Sequence, residues 1–163
     1  MKRDRRLRAL SDDHHQALVL ARRALTAGDR DEPSAREEVW AEIVKRFSLE
    51  LLPHFAIEEE LVLPAIEAAG ERELAERIRD EHATLRRLVQ EAPEPLSTRL
   101  SDFGATLRDH VRFEERVLFP VVQEKVGHEV LEAIAASCQR WHSAHHGDND
   151  ASGTEDPEPR EVP

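Results

Sequence analysis

The chain has 163 residues, of which 39% are hydrophobic, 35% charged and only 4% aromatic, with a net charge of −11 and a single cysteine, Cys138. That length suits one domain with a real core, the scarcity of aromatics disfavours a β-sandwich, and the acidic balance argues against nucleic acid, whose phosphates need clustered Lys and Arg. No apolar run approaches the ~20 residues that cross a bilayer, and the lone cysteine and the basic N-terminus MKRDRRLRAL, which lacks the apolar core of a secretory signal, set the expectation of a cytoplasmic protein without a membrane partner.

The predicted elements are all helical. Ser11, Asp12 and Asp13 read as a capping hydroxyl followed by acids at a helix start, with Leu18, Ala21 and Leu25 on its stripe and Gly28 at its end. A second helix opens at Pro33, with Ser34 and Glu37 at capping-box spacing, and carries Val39, Ile43, Phe47, Leu51, Ile57, Leu61 and Ala65 to Gly70; Pro53 and Pro64 should bend it. A third spans about Glu71 to Glu91 and ends at Pro93-Glu94-Pro95. The fourth, from about Ser97 to Val126, carries Leu100, Phe103, Leu107, Val117 and Val121. A shorter fifth helix runs from His128 to about His145. The expected fold is an up-down-up-down four-helix bundle over residues 1–146, followed by a disordered acidic tail over 147–163, where six acids meet one Arg160 and three prolines.

The second and fourth helices repeat one another. The segments 53–64 and 109–120 align at a constant offset of 56, with His54 on His110, Glu58 and Glu59 on Glu114 and Glu115, and Pro64 on Pro120. Leu10-Ser-Asp-Asp-His14 likewise matches Ile78-Arg-Asp-Glu-His82, so the chain reads as two hairpins, each bringing one His and then one His-x-x-x-Glu. The four-residue step alone carries little, since composition yields about one such pair by chance. A third pair, His128 and Glu132, lacks the repeated context and is read as accidental.

Residues at i and i+4 share a helix face, so His54 and Glu58, and His110 and Glu114, can reach one cluster. A buried glutamate is costly unless it is paired or binds a metal. Two of them with four imidazoles make little sense as packing and good sense around two cations. The candidate metal ligands are therefore His14, His54, Glu58, His82, His110 and Glu114, with His15 as the alternative to His14. Asp13, Glu81 and Asp109 each stand beside a candidate ligand, where a surface charge is the simpler reading. The late cluster His142, His145 and His146 reads as a solvated helix end.

These motifs resemble the hemerythrin-like family of HHE cation-binding domains over about residues 7–127. The resemblance implies a di-iron centre of two iron ions with an oxo or hydroxo bridge, His14 and His54 serving one ion, His82 and His110 the other, and Glu58 and Glu114 bridging both. Oxygen-carrying hemerythrins have a second histidine one turn after the third-helix ligand, where this chain has Arg86, and their last carboxylate is an aspartate one residue further along than Glu114. The set of four His and two Glu is closer to bacterial and regulatory members. Ferritin-like di-iron proteins use Glu-x-x-His, which does not occur here.

The function expected from this is binding, sensing or reducing a small oxidant such as dioxygen, peroxide or nitric oxide. The alternatives are an iron donor or repair factor for iron–sulfur clusters and a non-metal helical interaction module. Neither enzyme status nor a protein partner follows from the residues.

Overall fold

A computed structural model describes residues 3–91 and 95–146, without the side chains of 145 and 146. The tail expected over 147–163 and most of the Pro93-Glu94-Pro95 break lie outside the described residues. Five helices and no strand occur among the described residues, and the first four form the up-down-up-down bundle. Helix α1 is Arg8–Asp29, entered through a 3₁₀ turn at Arg5–Leu7. Helix α2 is a continuous rod made of Pro33–Arg46, Phe47–Leu51, Leu52–Ile57, Glu58–Val62 and Leu63–Ala68. Helix α3 is Arg72–Gln90. Helix α4 joins Leu96–Phe113, Glu114–Leu118 and Phe119–Lys125, and α5 is His128–His146. None of these helices is long and apolar enough to cross a membrane.

The first helix start and the capping of α2 differ from expectation. Asp4, not Ser11, caps the first helical segment, its Oδ1 accepting from the Arg6 amide at 2.8 Å, and Ser11 lies inside α1. At α2 no Ser34–Glu37 box forms; Glu32 is the cap residue and Pro33 takes the first helical position, where its missing N–H costs nothing. Gly70, at φ 93°, ends α2 with Glu71 N–H donating to Ile66 O at 2.9 Å and Gly70 N–H to Glu67 O at 3.0 Å. Such a left-handed closure favours glycine.

The prolines do not break the long helices, because each is preceded by a π-helical turn. The N–H groups of Leu52, Leu63 and Phe119 donate five residues back, to Phe47, Glu58 and Glu114, and the next residues are Pro53, Pro64 and Pro120. A widened turn makes room for a ring that would otherwise meet the carbonyl four residues earlier. It also inserts one residue into the helical phase. The expected stripe positions Leu61 and Ala65 are therefore only partly buried, and Val62 and Ile66 take their place; Val117 and Val121 likewise give way to Leu118 and Val122.

In α1 the buried face is Leu10, His14, Ala17, Ala21, Ala24 and Gly28 rather than Leu18 and Leu25. Small residues let α1 lie close against α4: a Cβ on Gly104 would stand 2.8 Å from the Ala21 carbonyl oxygen and 2.8 Å from Leu25 Cγ. The core falls into two apolar clusters. One gathers Leu10, Ile57, Ile66, Ile78, Phe119 and Val122, and α5 packs onto it through Leu131, Ile134 and Cys138. The other gathers Ala21, Ile43, Phe55, Leu85, Phe103 and Leu107. Between them lies a polar layer.

Candidate metal centre

That layer consists of six side chains, His14 from α1, His54 and Glu58 from α2, His82 from α3, and His110 and Glu114 from α4, none more than 3% exposed. His54–Glu58 and His110–Glu114 are one-turn pairs, and each glutamate opens a π-helical turn. His14 Nε2 lies 3.1 Å from His54 Nε2 and 3.1 Å from Glu114 Oε2. His54 Nε2 is 3.4 Å from Glu58 Oε1, His82 Nε2 is 3.3 Å from Glu58 Oε2, and His110 Nε2 is 3.3 Å from Glu114 Oε1. The inward-facing nitrogen and oxygen atoms that could hold a metal form two groups, His14–His54–Glu58–Glu114 and Glu58–His82–His110–Glu114, each spanning no more than 4.8 Å. The groups share both glutamates.

Each ring is held from behind by a carboxylate. His14 Nδ1 donates to Glu115 at 2.8 Å, His54 Nδ1 to Asp13 at 3.3 Å, His82 Nδ1 to Glu59 at 2.8 Å and His110 Nδ1 to Glu81 at 2.8 Å. An ionised carboxylate only accepts, so these bonds put the proton on Nδ1 and turn Nε2 inward. The arrangement follows the repeat: Asp13 and Glu81 occupy equivalent positions, as do Glu59 and Glu115. A further side chain closes each pair in turn. Arg86 binds Glu59 with two bonds at 2.8 and 3.0 Å, Arg77 reaches Glu81 at 2.8 Å, Arg3 reaches Glu115 at 2.5 Å, and His142 donates to Asp13 at 2.9 Å. Phe55 stacks on His82 at 3.9 Å and Phe119 on His14 at 5.1 Å, fixing the ring planes.

The electrostatics ask for positive charge. Burial works to raise the carboxyl of Glu58, yet the imidazoles of His54 and His82 outweigh it and hold the group well below its usual range. Burial likewise opposes protonation of His54, but Glu58 and Asp13 win and raise it well above the ordinary imidazole value. Both oxygens of Glu58 and of Glu114, and Nε2 of His82 and His110, lack a hydrogen-bond partner despite complete burial. Buried polar atoms of native proteins are almost always satisfied, and a donor set of imidazole nitrogens and carboxylate oxygens fits transition-metal cations. The hemerythrin HHE cation binding domain profile matches residues 5–122, a stretch that contains all six side chains.

The chain belongs to the hemerythrin HHE family. Membership implies cation binding, and the two buried His/Glu groups are where this HHE domain could hold a metal. Neither a curated protein nor a solved structure matches the chain.

The HHE domain brings all six candidate residues together and leaves His15 exposed on the outer side of α1. Of the three flanking acids, Asp13 and Glu81 are bound to ligand rings rather than being mere surface charge, whereas Asp109 is exposed and pairs with Arg108 at 2.8 Å. Glu59 and Glu115 were not singled out by sequence; the signal for them is the second Glu of both repeats. Arg86 points at Glu59, not at the cluster. His128 and Glu132 meet Arg6 at the surface. His142 is not simply a solvated helix end, since it is docked on Asp13, while the side chains of His145 and His146 lie outside the described set. A cleft of about 560 Å³ between α1, α2, α4 and α5 leads inward to His14, His54, His110 and Glu114.

Proposed function

We propose that this HHE domain carries two iron ions and binds, senses or reduces a small oxidant: dioxygen, peroxide or nitric oxide. His14 and His54 would hold one ion and His82 and His110 the other, with Glu58 and Glu114 available to both. The observation that carries this reading is the sharing of both buried glutamates by two four-residue groups, an arrangement that suits a pair of cations better than one. When bound, an iron pair supplies two redox equivalents at one place.

The chain's own residues do the rest. The Nδ1 carboxylates fix each imidazole's tautomer and strengthen its Nε2 as a donor. Ile57, Leu118 and Phe119 close the layer on one side, and Phe55, Leu107 and Val111 give the cleft on the other side apolar walls. The cleft admits a small molecule to the His14–His54 side.

The iron-donor alternative is less well supported. Cys138 is buried and its thiol is pushed up to about 12 by burial and by the charges of Asp13 and Glu58, so it offers no ready thiolate for metal hand-over. The buried cysteine accords with the cytoplasmic location included in this reading. The test is to load the purified chain with ferrous iron without oxygen and record absorption as dioxygen, peroxide or nitric oxide is added. New charge-transfer bands with at least one of the three are expected. A chain that binds iron but gives no spectral response to any of them would overturn the oxidant reading.

A further inference from the structure

The cleft above the cluster is larger than any of those oxidants requires. Its volume is about 560 Å³, whereas a water-sized molecule occupies about 30 Å³ in the liquid, and pockets of about 300–1,000 Å³ hold organic ligands. Between rim and cluster its walls are Ala17, Leu20, Leu51, Phe55, Leu107 and Val111, all buried. His82 and Glu58 do not line it, whereas His14, His54, His110 and Glu114 do, so it meets the polar layer on one face that includes a histidine of each group.

Among the described residues the rim offers no spare positive charge to an anion. Arg46 is gripped by Glu50 through Nε and Nη2 at 2.7 to 3.0 Å, and His142 is bonded to Asp13 at 2.9 Å. Asp12 and Glu50 add negative charge at the rim, while at the inner end the imidazoles of His14, His54 and His110 stand beside the carboxylate of Glu114. In the metal-free chain those imidazoles are already paired with Glu58 and Glu114, and a carboxylate held at the rim would lose its water beside Asp12 and Glu50.

We infer that the cleft is a binding site for an uncharged, elongated organic molecule. Its apolar body lies along Leu20, Leu51, Leu107 and Val111, and one end meets the His14–His54 face. What happens at that inner end rests on the reading of the cluster as a metal centre; the binding itself rests on the cleft.

The test titrates the methyl-labelled full chain, metal-free and iron-loaded, with 1-octanol and separately with octanoate, followed by NMR. With 1-octanol the methyl signals of Leu20, Leu51, Leu107 and Val111 are expected to shift saturably in both forms while those of Leu63, Ile66 and Ile78 stay put, and in the metal-free form octanoate is expected to bind at least about tenfold more weakly, a difference of about 1.4 kcal/mol. Leu51→Trp, which fills the cleft, is expected to weaken 1-octanol binding by at least about tenfold; the mapping on the native chain does not depend on that variant folding. No saturable shift, shifts centred elsewhere, or equal affinity for octanoate in the metal-free form would overturn the inference. Octanol binding in a chain that takes up no iron would sustain the cleft and overturn the metal reading, and iron uptake without octanol binding would do the reverse.

Discussion

His82 Nδ1 stands 2.8 Å from Glu59 Oε1, and Arg86 grips both oxygens of that same carboxylate. The Arg86 position, where oxygen-carrying hemerythrins have a histidine, thus serves the cluster through Glu59 rather than by reaching into it. Replacing Glu59 by Gln removes the anionic acceptor and frees His82 to turn. Metal affinity, read by competition with a chelator, is expected to fall by roughly 10- to 100-fold with the helical circular dichroism unchanged. Arg86→Ala should act in the same direction and less strongly, and an unchanged affinity in Glu59→Gln would show that the pair is ornamental.

The metal-free chain should have a pH profile set by this same layer. Glu59, bonded to His82, and Glu115, where His14 overcomes burial, are both held at about 2, below the usual 4.5. A lowered carboxyl contributes stability above its ordinary value and loses it as pH falls through the folded-state value. His14, His54 and His82 are raised above 6.5, burial being outweighed by their glutamates. A raised imidazole contributes stability below 6.5 and loses it as pH rises through the folded-state value. The melting temperature is expected to peak between about pH 5 and about 6.5. Metal affinity should instead rise with pH, because ligation requires neutral imidazole. Melting curves with and without metal that shift identically with pH would contradict this.

Bound metal should stabilise the fold by mass action. A ligand at a thousandfold excess over its dissociation constant contributes about 4 kcal/mol. The two apolar clusters on either side of the polar layer should keep the metal-free chain folded, so chelation is expected to lower the melting temperature without abolishing the transition. Calorimetry showing the same melting temperature before and after chelation would count against any metal in the core.

Gly104 sets the spacing of α1 and α4. Gly104→Ala would place a methyl 2.8 Å from the Ala21 carbonyl oxygen, which is backbone and cannot step aside alone. A loss of about 1–3 kcal/mol is expected from such overpacking, measured by denaturant unfolding. A neutral or stabilising result would mean that the helices move apart freely.

Much of the centre was legible because chemistry that needs matched residues leaves a repeat. His54, Glu58, His110 and Glu114 stand out by their shared context, and His14 and His82 by theirs. The helices were legible from periodicity, the start of α2 at Pro33 included, while the first begins some residues earlier than expected, capped by Asp4 rather than Ser11. The faces beyond the glutamates were not legible. A regular 3.6-residue period carries Leu61 and Val117 inward, and only the π-helical turns before Pro64 and Pro120 hand their places to Val62 and Leu118. Glu59 and Glu115 were hidden for a related reason: an acid beside a ligand looks like surface charge until the neighbouring helix brings a ring to it. The cleft and the docking of His142 depend on where α5 settles, which no local pattern encodes.

The central claim is a paired site with two shared glutamates, and metal stoichiometry tests it most directly. Anaerobic titration of the full chain with ferrous iron, followed by elemental analysis after desalting, is expected to break at two ions per chain. Glu58→Ala, which removes an oxygen donor common to both groups, should retain fewer than two. A break at one ion, no uptake at all, or a Glu58→Ala chain that still holds two would contradict the account.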